Sequence, residues 1–341
     1  MRKLLAIAAA VAISIAMLAS LALAADYEWR FALEEIEGSI QHEYAKKFKE
    51  VIEKKSGGKV KLDFYFYGQI GNNNQVSELL QDGALTMAFQ SPGHLGSYIP
   101  EVNIFNLHYL LPDDREVNKA ILMGGKNTYA TLAPYYAKKN LMLLSIIPEG
   151  WQVWSLKKEV RKPEDFNGMK FRVMTSPMLV EAYKAYGANP TPMPYSEIYS
   201  ALQLKMIEGQ VQPYFAHQEM KFYEVTDYFV NAKQLMYVTT LCFNKEKFDS
   251  LSPEMQKMVR ESVDEATAWL FKFEKEFNAK RLAMIKKAKP EMKVVNLTPD
   301  EIAAFRAKAK AVEKVYLEIG GDGAPEVLKA VKKDIKENTG N

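Results

Sequence analysis

The sequence holds 341 residues, 26% of them charged, with a formal net charge of +3. That length exceeds what one hydrophobic core usually serves, so two domains are expected. Near-neutral charge with no dense basic stripe argues against a nucleic-acid or anionic-membrane surface.

The chain opens on a targeting pattern. Met1, Arg2 and Lys3 give a positive start, residues 4–25 are almost wholly apolar, and Ala22-Leu23-Ala24 offers a small-x-small cleavage site before Asp26. This predicts a signal peptide over 1–24, cleaved near Ala24; an uncleaved anchor is the alternative, because about 20 apolar residues can span a bilayer. Removing that leader lowers the charge to +1. Cys242 is the only cysteine, so an exported chain must rely on its core and not on disulfides.

After the leader, "YEWRFAL" alternates Trp29, Phe31 and Leu33 on one face, as a half-buried strand does. Ile40, Tyr44, Phe48 and Ile52 recur at helical spacing, and Gly57-Gly58 ends that helix. "KVKLDFYFYG" predicts a second strand, "NNNQVSELLQDG" a loop and short helix, and "ALTMAF" a third strand. The alternation points to an α/β sheet with parallel neighbours, whose ligands sit at the carboxyl ends of strands.

From Leu141 the pattern restarts. "LMLLSII", "WQVWSL" and "KFRVM" read as separate strands, Pro177–Tyr186 as a helix behind Ser176, and Ile198, Leu202 and Leu204 as one face of another helix. "QLMYVTTLCFN" is a β-rich run long enough to cross between units. Ser252-Pro253-Glu254 announces a helix with no breaker before Pro290, about 35 residues or roughly 50 Å long. "TPDE" at 298–301 is a capping box for the next helix, and the tail is helical and charged.

No catalytic signature is present: there is no G-x-S-x-G, H-E-x-x-H, C-x-x-C or Gly-rich phosphate loop. None of the four histidines has a ligand-spaced neighbour. "EEIEG" at 34–38 could hold a metal, but a solvated turn is the simpler reading. No metal, cofactor or catalytic residue is expected, which favours binding over chemistry.

Four segments in order carry a resemblance: "GGKVKLDFYFYGQIGNNNQVSELLQDGALTMAF", "PEDFNGMKFRV", "GANPTPMPYSEIYSALQLKMIEGQ" and "KFYEVTDYF", followed by the long helix after "LSPEM". Over residues 27 to about 285 the chain resembles the periplasmic solute-binding subunits of TRAP (tripartite ATP-independent periplasmic) transporters, DctP-like. The resemblance implies an α/β fold of the two-domain periplasmic binding protein kind (type II-like), with hinge-crossing strands and a long domain-spanning helix. Residues 25–149 with 238–277 would form domain I, and 150–237 with 278–341 domain II, with the ligand cleft between them. It also implies a periplasmic location, a small-molecule carboxylate ligand, and TRAP integral membrane subunits as partners. An ABC-type periplasmic receptor, or an exported enzyme acting on small acids, is the competing reading.

Arg172 lies between Phe171 and Val173 in an apolar strand, where an unpaired charge has no place. The resemblance makes it the anchor for a ligand carboxylate, gripped by two parallel hydrogen bonds; an internal ion pair is the alternative. Where sialic-acid-binding members carry a second arginine, this chain has Gln152; where the family's G-Q-E-N-P is frequent, it has Gly209-Gln210-Val211-Gln212-Pro213; and a frequently acidic position after the third strand is Gln90. Gln152, Gln212 and Gln90 therefore predict a neutral, amide-lined cleft. Trp151, Tyr214 and Tyr195 are expected as apolar walls for an aromatic or branched monoacid, and His94 as a group able to reach the cleft. Asn72, Asn73 and Asn74 are explained by asparagine's preference for turns.

Overall fold

The computed structural model describes residues 26–339, so the expected leader lies outside the described residues. A first sheet of five strands has the order β2-β1-β3-β10-β4. Its members are β1 (Tyr27–Ala32), β2 (Val60–Tyr65), β3 (Met87–Gln90), β4 (Leu141–Trp151) and β10 (Met236–Asn244). A second sheet of six strands has the order β11-β9-β5-β8-β6-β7. It comprises β5 (Val153–Leu156), β6 (Lys170–Val173), β7 (Asn189–Pro192), β8 (Gly209–Gln212), β9 (Tyr228–Asn231) and β11 (Lys293–Asn296).

Each sheet is mixed: the parallel neighbours that the alternation predicted are found among the first three strands, and antiparallel ones enter with later strands. β1 runs parallel to β2 and β3, but β10 is antiparallel to β3 and β4, and β5 is antiparallel to β8 and β9. The cause is the pair of strands that pass between units and return against the grain. β4 leaves the first sheet and, after Gln152, continues as β5 in the second; β9 in the second sheet leads back to β10 in the first. The two strands expected from 141 and from 151 are both present, with the boundary moved: β4 extends unbroken to Trp151 and β5 begins at Val153. Gln152 N donates to the Leu235 carbonyl at 2.9 Å, tying the two crossings together.

Helices flank both sheets. In the first unit these are α1 (Ile40–Lys55), α2 (Asn73–Gln81), α3 (Pro92–Leu95), α4 (Arg115–Gly124) and α5 (Lys126–Ala137). The second unit supplies α6 (Pro177–Lys184), α7 (Ile198–Gln203) and α8 (Tyr214–Glu219); α9 (Lys245–Asp249) follows β10. α10 (Pro253–Ala288) starts as its sequence demands, with the Ser252 side chain accepting from Met255 N and proline at the first position. Its 36 residues span about 54 Å and pack on α1 and β4 at one end and on α8 at the other. The capping box at Thr298 and Glu301 opens α11 (Pro299–Ile319), and α12 (Ala324–Thr339) ends the described chain.

The core is divided. One cluster gathers Phe31, Phe48, Phe89 and Leu270 between the first sheet, α1 and α10; another gathers Trp154, Phe166, Phe171 and Tyr183 around the second sheet. The C-terminal segment sorts differently from the expected grouping of 278–341. α12 lies against α4 and α5, and Tyr316, Val327 and Val331 join a core built from first-unit residues.

Candidate ligand-binding cleft

In β6, Phe171 and Val173 enter the core of the second unit, so the alternation of a strand turns Arg172 to the opposite face. There it meets a narrow cavity lined by Glu34, Glu35, Asn73, His94 and Tyr237 from the first unit, and Arg172, Met174, Tyr195, Gln212 and Ala216 from the second. The cavity therefore lies between the two sheets. A wider mouth adjoins it through Asn73, His94 and Tyr195, bordered also by Tyr67 and Met193. Tyr67 and Tyr195 meet edge to face across that mouth, with ring centroids 5.7 Å apart.

Arg172 is 1% exposed and has no carboxylate partner among the described residues. Nε and Nη2 donate to the Met193 carbonyl at 3.1 and 2.9 Å, while Nη1 is buried without an acceptor. Burial pulls its pKa down to about 10, so it is still charged at neutral pH. An oriented, unneutralised guanidinium with a free donor is suited to an anion brought in from outside.

Glu34 and Glu35 are the other half of the chemistry. The sequence suggested a solvated turn, yet both are buried, because β1 delivers them into the space between the units. Glu34 accepts from Ser91 N at 3.1 and 3.0 Å, and His94 Nδ1 approaches it to 3.4 Å. His94 in turn contacts Ser91 Oγ at 2.9 Å and Asn73 Nδ2 at 2.7 Å, so the histidine is fixed beside the acid. Asn73, read from sequence as turn chemistry, lines the cavity; Asn72 does the turn work as the cap of α2. Burial raises Glu35 well above the ordinary carboxylate range, and the neighbouring Glu149 adds to that.

The residues predicted from sequence divide into three groups. Arg172, Gln212, Tyr195 and His94 come together in the cavity. Gln90 does not reach it: it ends β3 at 1% exposure, accepts from the Ser77 hydroxyl and donates to the Phe89 carbonyl, which explains an uncharged residue there. Trp151, Gln152 and Tyr214 line a separate groove with Asn231, Glu274, Asn278 and Leu282. They sit at the crossing from β4 to β5 and at the start of α8, where they serve the hinge and leave the Arg172 cavity to other walls. Glu34, Glu35, Asn73, Met174 and Tyr237 were missed; only the doubled acid after a strand end offered a signal.

Among the described residues no group of acids, histidines or cysteines has the arrangement of a metal site. Two mixed sheets joined by a double crossing, a helix spanning both, and a buried arginine with a free donor in the cleft between them define a periplasmic-type solute-binding protein. The particular family follows from comparison with known proteins. Residues 31–318 match the family described as bacterial extracellular solute-binding protein, family 7 (DctP), and the chain belongs to that family.

Among its relatives is the ectoine/5-hydroxyectoine-binding periplasmic protein UehA of Ruegeria pomeroyi, 39% identical over 96% of both chains. The ectoine-binding periplasmic protein TeaA of Halomonas elongata is 35% identical over 90% of both. The solved structure of the periplasmic ectoine-binding protein from the TeaABC TRAP transporter of that organism superposes with a TM-score of 0.87 at 34% identity, covering 91% of this chain and 99% of its own. The chain is thus a TRAP-type solute-binding protein, a kind that works with membrane subunits. These relatives are named for binding and not for catalysis, which favours a receptor over an exported enzyme.

Proposed function

We propose that this protein is the periplasmic receptor of a TRAP transporter for a compact zwitterion of the ectoine type, held in the cleft and delivered to membrane subunits. The observation that carries the reading is the pairing, in one cavity, of the unneutralised Arg172 with the buried acids Glu34 and Glu35. A simple organic acid would satisfy the arginine but bring its charge beside two glutamates. A zwitterion satisfies both signs: its carboxylate seats on Arg172, and its delocalised ring cation faces Glu34 and Glu35.

Tyr195, Tyr237 and Met174 provide the apolar walls, and Gln212 offers a neutral amide that can orient the ligand from the second unit. The relatives named for ectoine support the same choice. The aromatic or branched monoacid expected from Trp151 and Tyr214 loses its basis, since those rings line the hinge groove. Because the cavity takes residues from both units, ligand contacts favour the closed arrangement, and closure presents an altered face to the membrane subunits.

The test is calorimetric titration of the mature protein, freed of co-purified ligand, with ectoine, 5-hydroxyectoine, and a panel of aromatic and branched monoacids. Saturable binding of the zwitterions with weak or no binding of the monoacids is expected. Preference for a monoacid would overturn the reading.

A further inference from the structure

Behind the cavity, and outside its lining, β4 places Glu149 fully buried against the loop that carries Glu35. Glu149 Oε1 accepts from Gln41 Nε2 at 2.8 Å and from the Thr239 hydroxyl. The backbone N of the same Gln41 lies 3.4 Å from Glu35 Oε2, so one glutamine bridges the two acids. Glu149 Oε2 has no donor, although the Glu35 carboxyl is within hydrogen-bonding reach. Two ionised carboxylates cannot satisfy that contact; one proton between them can.

The surrounding charges leave the pair uncompensated. Glu34 comes from the same loop as Glu35, and Tyr195 and Tyr237 face the pair with neutral phenols. From α8, Glu219 approaches, but Arg281 Nη2 of α10 pairs with it at 3.1 Å, and the same nitrogen donates to the Gly38 carbonyl at 2.6 Å. Glu274, also on α10, is held by Arg115 at 3.0 Å. Arg172 lines the same cavity, but its Nε and Nη2 go to the Met193 carbonyl, and no cation forms an ion pair with Glu35 or Glu149 among the described residues.

We infer that Glu149 sets the charge selectivity of the cleft without touching the ligand, by sharing a proton with Glu35 in the empty protein. That proton leaves to solvent when a cationic group seats against Glu35. The inference rests on the zwitterion reading above and adds a residue and a proton count to it. A neutral or anionic ligand has nothing with which to replace the proton, so it meets either an acid it cannot pair with or an unbalanced buried charge.

Burial raises Glu149 to about 7, despite hydrogen bonds that pull it down, and raises Glu35 in the same direction. Glu219 is lifted by burial to about 8, with Arg281 opposing. Binding that expels a proton is weakened where the proton is held, that is, below about pH 7. Affinity therefore climbs with pH by up to about tenfold per unit and levels off above that value.

The experiment is titration of the full mature chain with ectoine near about pH 6 in buffers of different ionisation heat, which counts protons, for wild type and Glu149→Gln. Release approaching one proton in wild type, and a smaller release with a flattened pH profile in Glu149→Gln, is expected. Equal release in both, or none in wild type, overturns the inference; Glu35→Gln, expected to abolish release, stands in if Glu149→Gln does not fold. If ectoine does not bind at all, the zwitterion reading fails on its own, and thermal melts of the ligand-free proteins still judge the stored proton. An acid with a raised folded pKa stabilises fully below its unfolded value and loses that contribution as pH rises through the folded one. Wild-type stability should thus fall between about pH 5 and 8 more steeply than that of Glu149→Gln, and identical slopes would overturn the shared proton.

Discussion

Two of the three guanidinium nitrogens of Arg172 already bond the Met193 carbonyl, which fixes the plane of the fork before a ligand arrives. Removing the guanidinium takes away the ligand's charge partner, and truncating one member of such a buried pair costs about 2 to 5 kcal/mol. Arg172→Ala should therefore bind ectoine roughly 30-fold to several thousand-fold more weakly while remaining folded by circular dichroism. Arg172→Lys should also bind poorly, because a single ammonium cannot keep the Met193 contact and grip a carboxylate as well. The arginine was legible in the sequence because a charge between Phe171 and Val173 contradicts its own surroundings. Glu34 and Glu35 were not, since a glutamate in a short polar turn has the same local signature whether water or a second domain covers it. Asn73 was obscure for a related reason: what fixes it is contact between α2 and His94 of α3, which spacing along the chain does not encode.

Elements with chemical punctuation were the readable ones. Ser176, Ser252 and Thr298 each accept from a backbone N–H at the start of their helix, as their sequence positions promised, and Ser39 does the same for α1. Strand direction was less readable, because hydrophobic alternation is the same for parallel and antiparallel neighbours. The last helix shows how an element can be anchored by one residue. On α12, Asp334 accepts from Asn127 N at 3.2 Å, Asn127 Nδ2 at 2.6 Å, Thr128 N at 2.7 Å and Thr128 Oγ1 at 2.6 Å, capping α5 from outside its own chain segment. Burial pushes its carboxyl up, but the bonds from Thr128 and Asn127 outweigh that and hold it below the ordinary range. Asp334→Ala leaves those donors unpaired and should cost about 2 to 3 kcal/mol in chemical denaturation. With a lowered folded pKa, the wild-type contribution is complete above the unfolded carboxyl range near about 4 and is lost as pH falls through the folded value. The stability gap between wild type and Asp334→Ala should close in acid accordingly.

For the molecule as a whole, the hinge is a place where glycine is obligatory. Gly150 has a φ of +131° two residues before Gln152, and a Cβ there would lie 2.7 Å from Asn278 Nδ2 and 3.0 Å from Glu274 Oε1. Asn278 ties α10 to the Glu149 carbonyl at 2.9 Å and to Phe215 N at 3.1 Å, so it fastens the long helix to both units. Gly150→Ala would press α10 away from that junction and strain the crossing strand. Destabilisation by about 1 to 3 kcal/mol in melts, with weakened ligand binding although the residue lines no part of the cavity, is the expected outcome. The way the chain is threaded also orders its assembly in time. β10 inserts between β3 and β4 of the first sheet from position 236 onward, and α12 closes its outer wall only at 324–339. The first unit therefore cannot finish folding when its own N-terminal residues emerge; it waits for the last described helix. Such a chain stays open for most of its synthesis, which is the condition in which a polypeptide can still be threaded through a narrow membrane channel.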